Sequence, residues 1–186
     1  MAPKIKVTKE DIIKSGLALV REDGESGLNA RAVAQKIGCS TQPIFSNYSL
    51  MEDLKKDIIA AAEKLYLDYT HGKMNTAQIP PYKASGLAYI QFAKDETNLF
   101  KLLFMRNRRK ETESDNKNAV SEFVDIVAKN ANLSREDAYM FHLEMWVYVH
   151  GIASMIATSY LEWDEETISK MLTDAYIGLK RRYCDE

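Results

Sequence analysis

The chain has 186 residues, 25 Lys/Arg against 27 Asp/Glu, a formal net charge of −2, and 46% hydrophobic and 28% charged residues. These proportions are ordinary for a folded protein and exclude a disordered chain, a collagen-like repeat and, with only two cysteines, a disulfide scaffold. With the charge so near zero, any affinity for nucleic acid must come from a local surface.

Several segments open with a hydroxyl three residues before a carboxylate, among them Thr8 and Asp11, Ser49 and Glu52, and Ser134 and Asp137. At that spacing the hydroxyl accepts from an orphan N–H of a first helical turn, and the carboxylate answers the cap's own N–H. Thr8 therefore opens helix 1, about 9 to 23, with Ile13, Leu17 and Val20 as its stripe and Ile12 and Leu19 beside it. Gly24 and Gly27 end it in a loop. Asn29 caps helix 2, about 30 to 36, with Val33, Ala34 and Ile37 inward, and Gly38 closes it because glycine accepts positive φ. Ser40 is the expected cap of helix 3, about 41 to 47, with Pro43 in its first turn, where a missing N–H costs little. Ser49 starts helix 4, about 50 to 71, with Leu50, Leu54, Ile58 and Leu65 inward, and His71 through Pro81 reads as a loop. Further helices are expected at about 82–94, 96–105, 115–131, 135–161 and 165–182, with Arg106 through Asn116 as a charged connector. The fold class is all-α: an N-terminal three-helix helix-turn-helix domain over residues 1–50, helix 4 (50–71) as connector, and a larger C-terminal helical bundle over 72–186, about nine helices in total.

Residues 28–54 carry the chemistry. A short helix, a tight glycine turn and a second short helix are the parts of a helix-turn-helix. Ile44 faces inward and leaves Thr41, Gln42, Phe45, Ser46 and Asn47 on or near the outer side, groups suited to base edges and thymine methyls in a major groove. Tyr48 follows, where its hydroxyl could reach a phosphate. No formal charge occurs from Ile37 to Met51, and Lys4, Lys6, Lys9, Arg31, Lys36, Lys55 and Lys56 surround that gap. Residues 1–60 carry nine Lys/Arg against eight Asp/Glu, a net of +1 that leaves −3 for the remainder, so the electrostatic support for DNA is modest.

The runs Thr8-Lys-Glu-Asp-Ile-Ile, Leu19-Val-Arg-Glu-Asp-Gly24, Leu28-Asn-Ala-Arg-Ala-Val-Ala34, Ile37-Gly-Cys-Ser40 and Ile44-Phe-Ser-Asn-Tyr48, followed by Leu54, resemble the N-terminal domain of TetR-family transcriptional regulators over about residues 8 to 58. The resemblance implies a homodimeric, ligand-responsive DNA-binding regulator, most often a repressor, that binds a pseudo-palindromic operator in double-stranded DNA and is released by a small-molecule effector. By position, Arg31 would touch DNA from helix 2. Thr41, Gln42, Pro43, Phe45, Ser46 and Asn47 would line the recognition helix, with Tyr48 and Lys55 on phosphate. The family usually has Tyr-Tyr-His-Phe where this chain has Phe45-Ser46-Asn47-Tyr48, and often a lysine where it has Met51.

In the second half, Trp146-Val-Tyr-Val-His-Gly151 is similar to a Trp-x-x-x-His-Gly signature of one subgroup, and Leu99 through Met105 to the close of its sixth helix. Core packing is the default for aromatic residues at helical spacing. The candidates for an apolar effector pocket are Tyr89, Phe92, Phe104, Phe123, Trp146 and His150. In the family the last two helices pair with those of a second copy, which implies Ile152, Met155, Ile156, Ile168, Leu172, Ala175, Tyr176 and Leu179 at the interface. Helix 8 is apolar nearly all round, which demands burial on both sides.

No catalytic motif is found, so an enzyme is not expected. No cofactor or metal is expected either: His142 and His150 lie eight residues apart, too far for one ion. Cys39 reads as a small apolar residue at the turn, and Arg106, Arg108, Arg109 and Lys110 as a solvated cluster. Met145 to Leu161 has no formal charge but contains His150, Gly151, Ser154, Thr158 and Ser159, and it falls short of the roughly 20 residues a membrane span needs. The first residues lack the apolar core of a signal peptide, and with no Cys pairing pattern a cytoplasmic setting is expected. The alternative is an all-α protein-interaction module whose helix-turn-helix no longer binds DNA.

Overall fold

In the computed structural model, which describes residues 7–107 and 117–184, the first helix opens as its spacing dictates. Thr8 Oγ1 accepts from the Asp11 N–H at 3.1 Å while the Thr8 N–H donates to Asp11 Oδ2 at 2.9 Å. Lys4, Lys6, Arg108, Arg109, Lys110 and the Cys184 side chain lie outside the described residues.

Helix α1 (Lys9–Asp23) buries Ile12, Gly16, Leu19 and Val20, so its inner stripe sits one residue over from the expected one. A 3-10 turn (Glu25–Gly27) leads to α2 (Ala30–Ile37), where Asn29 accepts from the Ala32 N–H at 3.0 Å. Gly38, at φ 82°, then turns the chain in the left-handed region. Helix α3 (Gln42–Asn47) follows Thr41, not Ser40; Thr41 is itself in the helical region and makes no side-chain cap bond, which places Pro43 second in the helix.

Helix α4 (Met51–Thr76) starts two residues beyond Ser49, leaving Leu50 63% exposed rather than inward. It also runs past residue 71 through what reads as loop. A single glycine costs a helix only about 1 kcal/mol against alanine, and Lys73 and Met74 are good formers. The Thr76 hydroxyl caps the run by donating to the Gly72 carbonyl at 2.9 Å. Then come α5 (Pro81–Asp95), α6 (Thr97–Phe104), α7 (Lys117–Ala131), α8 (Arg135–Ala157) and α9 (Glu165–Cys184). Helix α8 begins on the Ser134 cap, whose hydroxyl accepts from the Asp137 N–H at 3.1 Å. It stops short of 161 because the Thr158 hydroxyl donates back to the Ser154 carbonyl at 2.8 Å and Ser159 takes φ 54°. Every regular element among the described residues is helical, nine α-helices in all.

Two compact units result. One holds the chain through Asp68 and, returning, Glu96–Arg106; the other holds Tyr69–Asp95 and the chain from Asn107 onward. In the first, α6 packs on α1: Arg21 grips Glu96, and the Asn98 amide donates to the Arg21 carbonyl at 2.8 Å. Ile12, Val20, Val33, Ile44, Leu54, Ile58, Leu99 and Phe100 are fully buried there, each large side chain contributing roughly 1.5–3 kcal/mol by leaving water. In the second unit, α8 packs on α5 and α7, and α9 on α5 and α8. Its core includes Phe92, Val127, Phe141 and Ala153.

Candidate functional site

Helix α3 is too short to be stable by itself, so its orientation is set by what it buries. Ile44 and Tyr48, four apart and on one face, are 0% and 4% exposed. The opposite face presents Gln42, Phe45 and Ser46, with Thr41, Pro43 and Asn47 partly exposed. Phe45 is 52% exposed, a large apolar group held out in water. Ser46 Oγ donates to the Gln42 carbonyl at 2.9 Å and Asn47 Nδ2 to the Pro43 carbonyl at 2.8 Å, so both side chains are tied along the helix.

Tyr48 differs from its expected place on a phosphate. Its hydroxyl donates to Asp57 Oδ2 of α4 at 2.8 Å, and the Lys9 ammonium lies 4.8 Å from its ring centroid. Burial, with the Asp57 contact, pushes its pKa well above that of an ordinary phenol, so it stays a donor. Asp57 is a residue that sequence reasoning missed, because a partner nine residues away on another helix leaves no periodic signal; Lys9 was read only as one of the cations around the uncharged run. Arg31 is exposed. Lys36 pairs with Glu22 at 2.7 Å and Lys55, expected on phosphate, with Glu25, so both cations face a carboxylate. Exposed pairs of this kind are worth about 0–1 kcal/mol, weak enough to exchange for a phosphate. Cys39 is half-buried at the turn.

In the second unit, two tyrosine–histidine pairs link α5 to α8. Tyr89 Oη and His150 Nδ1 are hydrogen bonded at 2.8 Å, and Trp146 stacks on the His150 ring at 5.1 Å. One level away, Tyr82 Oη and His142 Nδ1 are hydrogen bonded at 2.9 Å, with Phe123 stacked on His142 at 5.6 Å. Burial lowers the pKa of both histidines, which favours neutral rings. Sequence reading singled out Tyr89, Phe123, Trp146 and His150 and joined Trp146 to His150 in one signature, but did not pair the tyrosines with the histidines, because those pairs span about 60 residues.

Of the pocket candidates, Phe92 and Tyr89 are buried, Phe123 and His150 half-buried, and Trp146 is 41% exposed. Phe104 lies in the other unit, edge-on to Tyr66 at 5.1 Å and beside Phe100, because α6 packs with α1. Among the expected interface residues, Ile152, Ile168 and Leu172 are buried in their own chain, and Ala175, Tyr176 and Leu179 pack on a core of Val124, Val127, Ala138, Phe141 and Met145. The α9 stripe thus faces inward. Ile156 is half-buried and Met155 is exposed. Among the described residues, helix α8 is covered along one side only. Tyr139, Leu143, Val147 and Met155 remain exposed, as does Ile177 of α9.

Among the described residues no group of three or more His, Cys, Asp or Glu could hold a metal ion, and no helix is long and apolar enough to cross a membrane.

Residues 82–176 match the family model of the tetracyclin repressor-like C-terminal domain. No curated protein matches the sequence. Three solved structures share the fold. A protein of unknown function from Rhodococcus sp. RHA1 is 17% identical with a TM-score of 0.73, covering 99% of this chain and 100% of its own. A candidate transcriptional regulator from Pseudomonas aeruginosa PAO1 is 15% identical with a TM-score of 0.71 over 94% and 93% of the two chains. A TetR-like transcriptional regulator from Rhodococcus sp. RHA1 is 11% identical with a TM-score of 0.65 over 98% and 97%. The family match spans just over half of the chain, and the helical architecture agrees along nearly all of it: the protein belongs to the TetR-like family of transcriptional regulators.

Proposed function

We propose that the protein is a homodimeric DNA-binding repressor that recognises a pseudo-palindromic operator through two copies of α3 and is released by a small apolar effector held in its second unit. One observation carries the reading: the uncharged face of Gln42, Phe45 and Ser46 points outward while Ile44 anchors the same helix in the core. Phosphate contacts orient such a helix, and polar and apolar contacts to base edges read sequence. The exposed apolar side of α8 supports pairing with a second copy, since a surface of this kind is normally covered. Two-fold symmetry then sets half-sites about 34–36 Å apart. An effector releases the operator only by binding a non-binding conformer more tightly, and a coupling of about 1–3 kcal/mol changes affinity 5- to 150-fold.

Selection from random duplex DNA, followed by mobility shifts on the enriched sequence at two salt concentrations, tests this. The expected result is an inverted repeat bound with affinity that falls steeply as salt rises. Failure to enrich any sequence, with duplex binding absent at low salt, overturns it and leaves the helix-turn-helix as a protein-docking module.

A further inference from the structure

Helix α3 has six residues and no side-chain cap at its start. Its far end is therefore the place where its angle can be fixed, and that end is Tyr48. The Tyr48 backbone is extended, and its N–H closes the helix on the Ile44 carbonyl at 2.9 Å. Its side chain then reaches two further helices, donating to Asp57 in the second turn of α4 and lying against the ammonium of Lys9, the first residue of α1. One buried ring meets three helices.

We propose that the Tyr48–Asp57 hydrogen bond positions the recognition helix, so that Asp57, a residue of α4 that reaches the motif through Tyr48, determines how well α3 tells one DNA sequence from another. This rests on the DNA-binding reading above. The phenol fixes the roll of α3 because its apolar anchors, Ile44 and the Tyr48 ring, carry no direction of their own and leave the helix some freedom to turn about its axis. A directional O–H···O bond to a rigid neighbouring helix removes that freedom. Non-specific attraction to phosphate does not depend on the roll, whereas base contacts at the far face do.

The test measures affinity for the selected operator and for unrelated duplex, with the DNA-binding-competent fraction counted by stoichiometric titration. Tyr48→Phe keeps the ring, its burial and the Lys9 contact, and removes only the hydroxyl. It is expected to lower the ratio of operator to unrelated-duplex affinity about five- to tenfold, the size of one hydrogen bond, with the competent fraction unchanged. Asp57→Ala lowers the ratio similarly, the double variant is no worse than either single one, and Asp57→Asn, whose amide oxygen still accepts, keeps most of it. A purely structural role would instead reduce the competent fraction and spare the ratio. The inference fails if Tyr48→Phe keeps the wild-type ratio, if the two single losses add, or if only the competent fraction falls. If the wild-type protein itself selects no sequence, the DNA-binding reading fails and takes the inference with it; wild-type selection that Tyr48→Phe preserves sinks the inference alone.

Discussion

Arg21, near the end of α1, grips Glu96, just before α6, through two parallel N–H donors: Nε at 2.9 Å and Nη2 at 2.8 Å from the two carboxylate oxygens. The two side chains are 41% and 22% exposed, so the fork is partly sheltered. Arg21→Ala is expected to destabilise the protein by about 1 kcal/mol in urea unfolding. Arg21→Lys, which keeps the charge but not the fork, should recover less than half of that. Full recovery by lysine would mean that charge alone holds α6 on α1.

Gly16 sits where α1 crosses α4. A Cβ placed there collides with Ile58 Cδ1, and Ile58 is fully buried. Gly16→Ala should therefore cost about 1–3 kcal/mol despite the gain in helix propensity. Ile58→Val deletes the offending methyl, so the double variant should be more stable than the sum of the two single changes predicts. Additive losses in chemical denaturation would rule out this contact as the cause.

Val147 projects from the bare side of α8 and is 59% exposed within the chain. Val147→Glu should leave the fold of one chain intact and shift the proposed dimer to monomer by light scattering. A dimer that survives this change and Leu143→Lys together would place the interface elsewhere.

Gln42 stands at the exposed start of α3. Gln42→Ala should reduce discrimination at one base pair of each half-site by about 1–3 kcal/mol while leaving the salt dependence of binding unchanged. Competition mobility shifts with single-base variants of the selected site measure this. An intact preference would remove Gln42 from the set of sequence readers.

Burial holds the pKa of His142 and His150 below the ordinary 6.5. The unfolded chain therefore binds more protons than the folded one as pH falls toward and below that value. The stability carried by the neutral rings is complete above about pH 6.5 and declines as pH drops toward the lower folded values. Thermal midpoints should fall between about pH 7.5 and 5.5, and a His142→Gln, His150→Gln double variant should show a shallower fall. An equally steep decline would assign the pH dependence to other groups.

Local rules made much of this fold legible. The Thr8–Asp11 box, the Asn29 cap, the Gly38 turn and the Ser134 cap each involve residues within a turn of one another, and each is found where the spacing puts it. The boundaries that shifted, at residues 71–76 and 158–161, are decided by small balances: one glycine tolerated, one threonine hydroxyl bonding backward. The α9 stripe shows the other limit. Ile168, Leu172 and Leu179 announce an apolar face, but a stripe does not say whether its own chain or a second copy covers it. At the candidate site, the outward direction of Gln42 and Phe45 followed from the burial of Ile44. The inward turn of Tyr48 did not, because it depends on a carboxylate that only folding brings near.

The paired rungs between α5 and α8 have a mechanical meaning. Tyr82 meets His142 and Tyr89 meets His150, two latches roughly 10–12 Å apart along the helices at about 1.5 Å per residue. Sliding α5 by one turn against α8 would strip two phenols and two imidazoles of their partners at once, at roughly 1–3 kcal/mol for each group left stranded. The pair is thus keyed to a single register, and any displacement of one rod would have to carry the other with it.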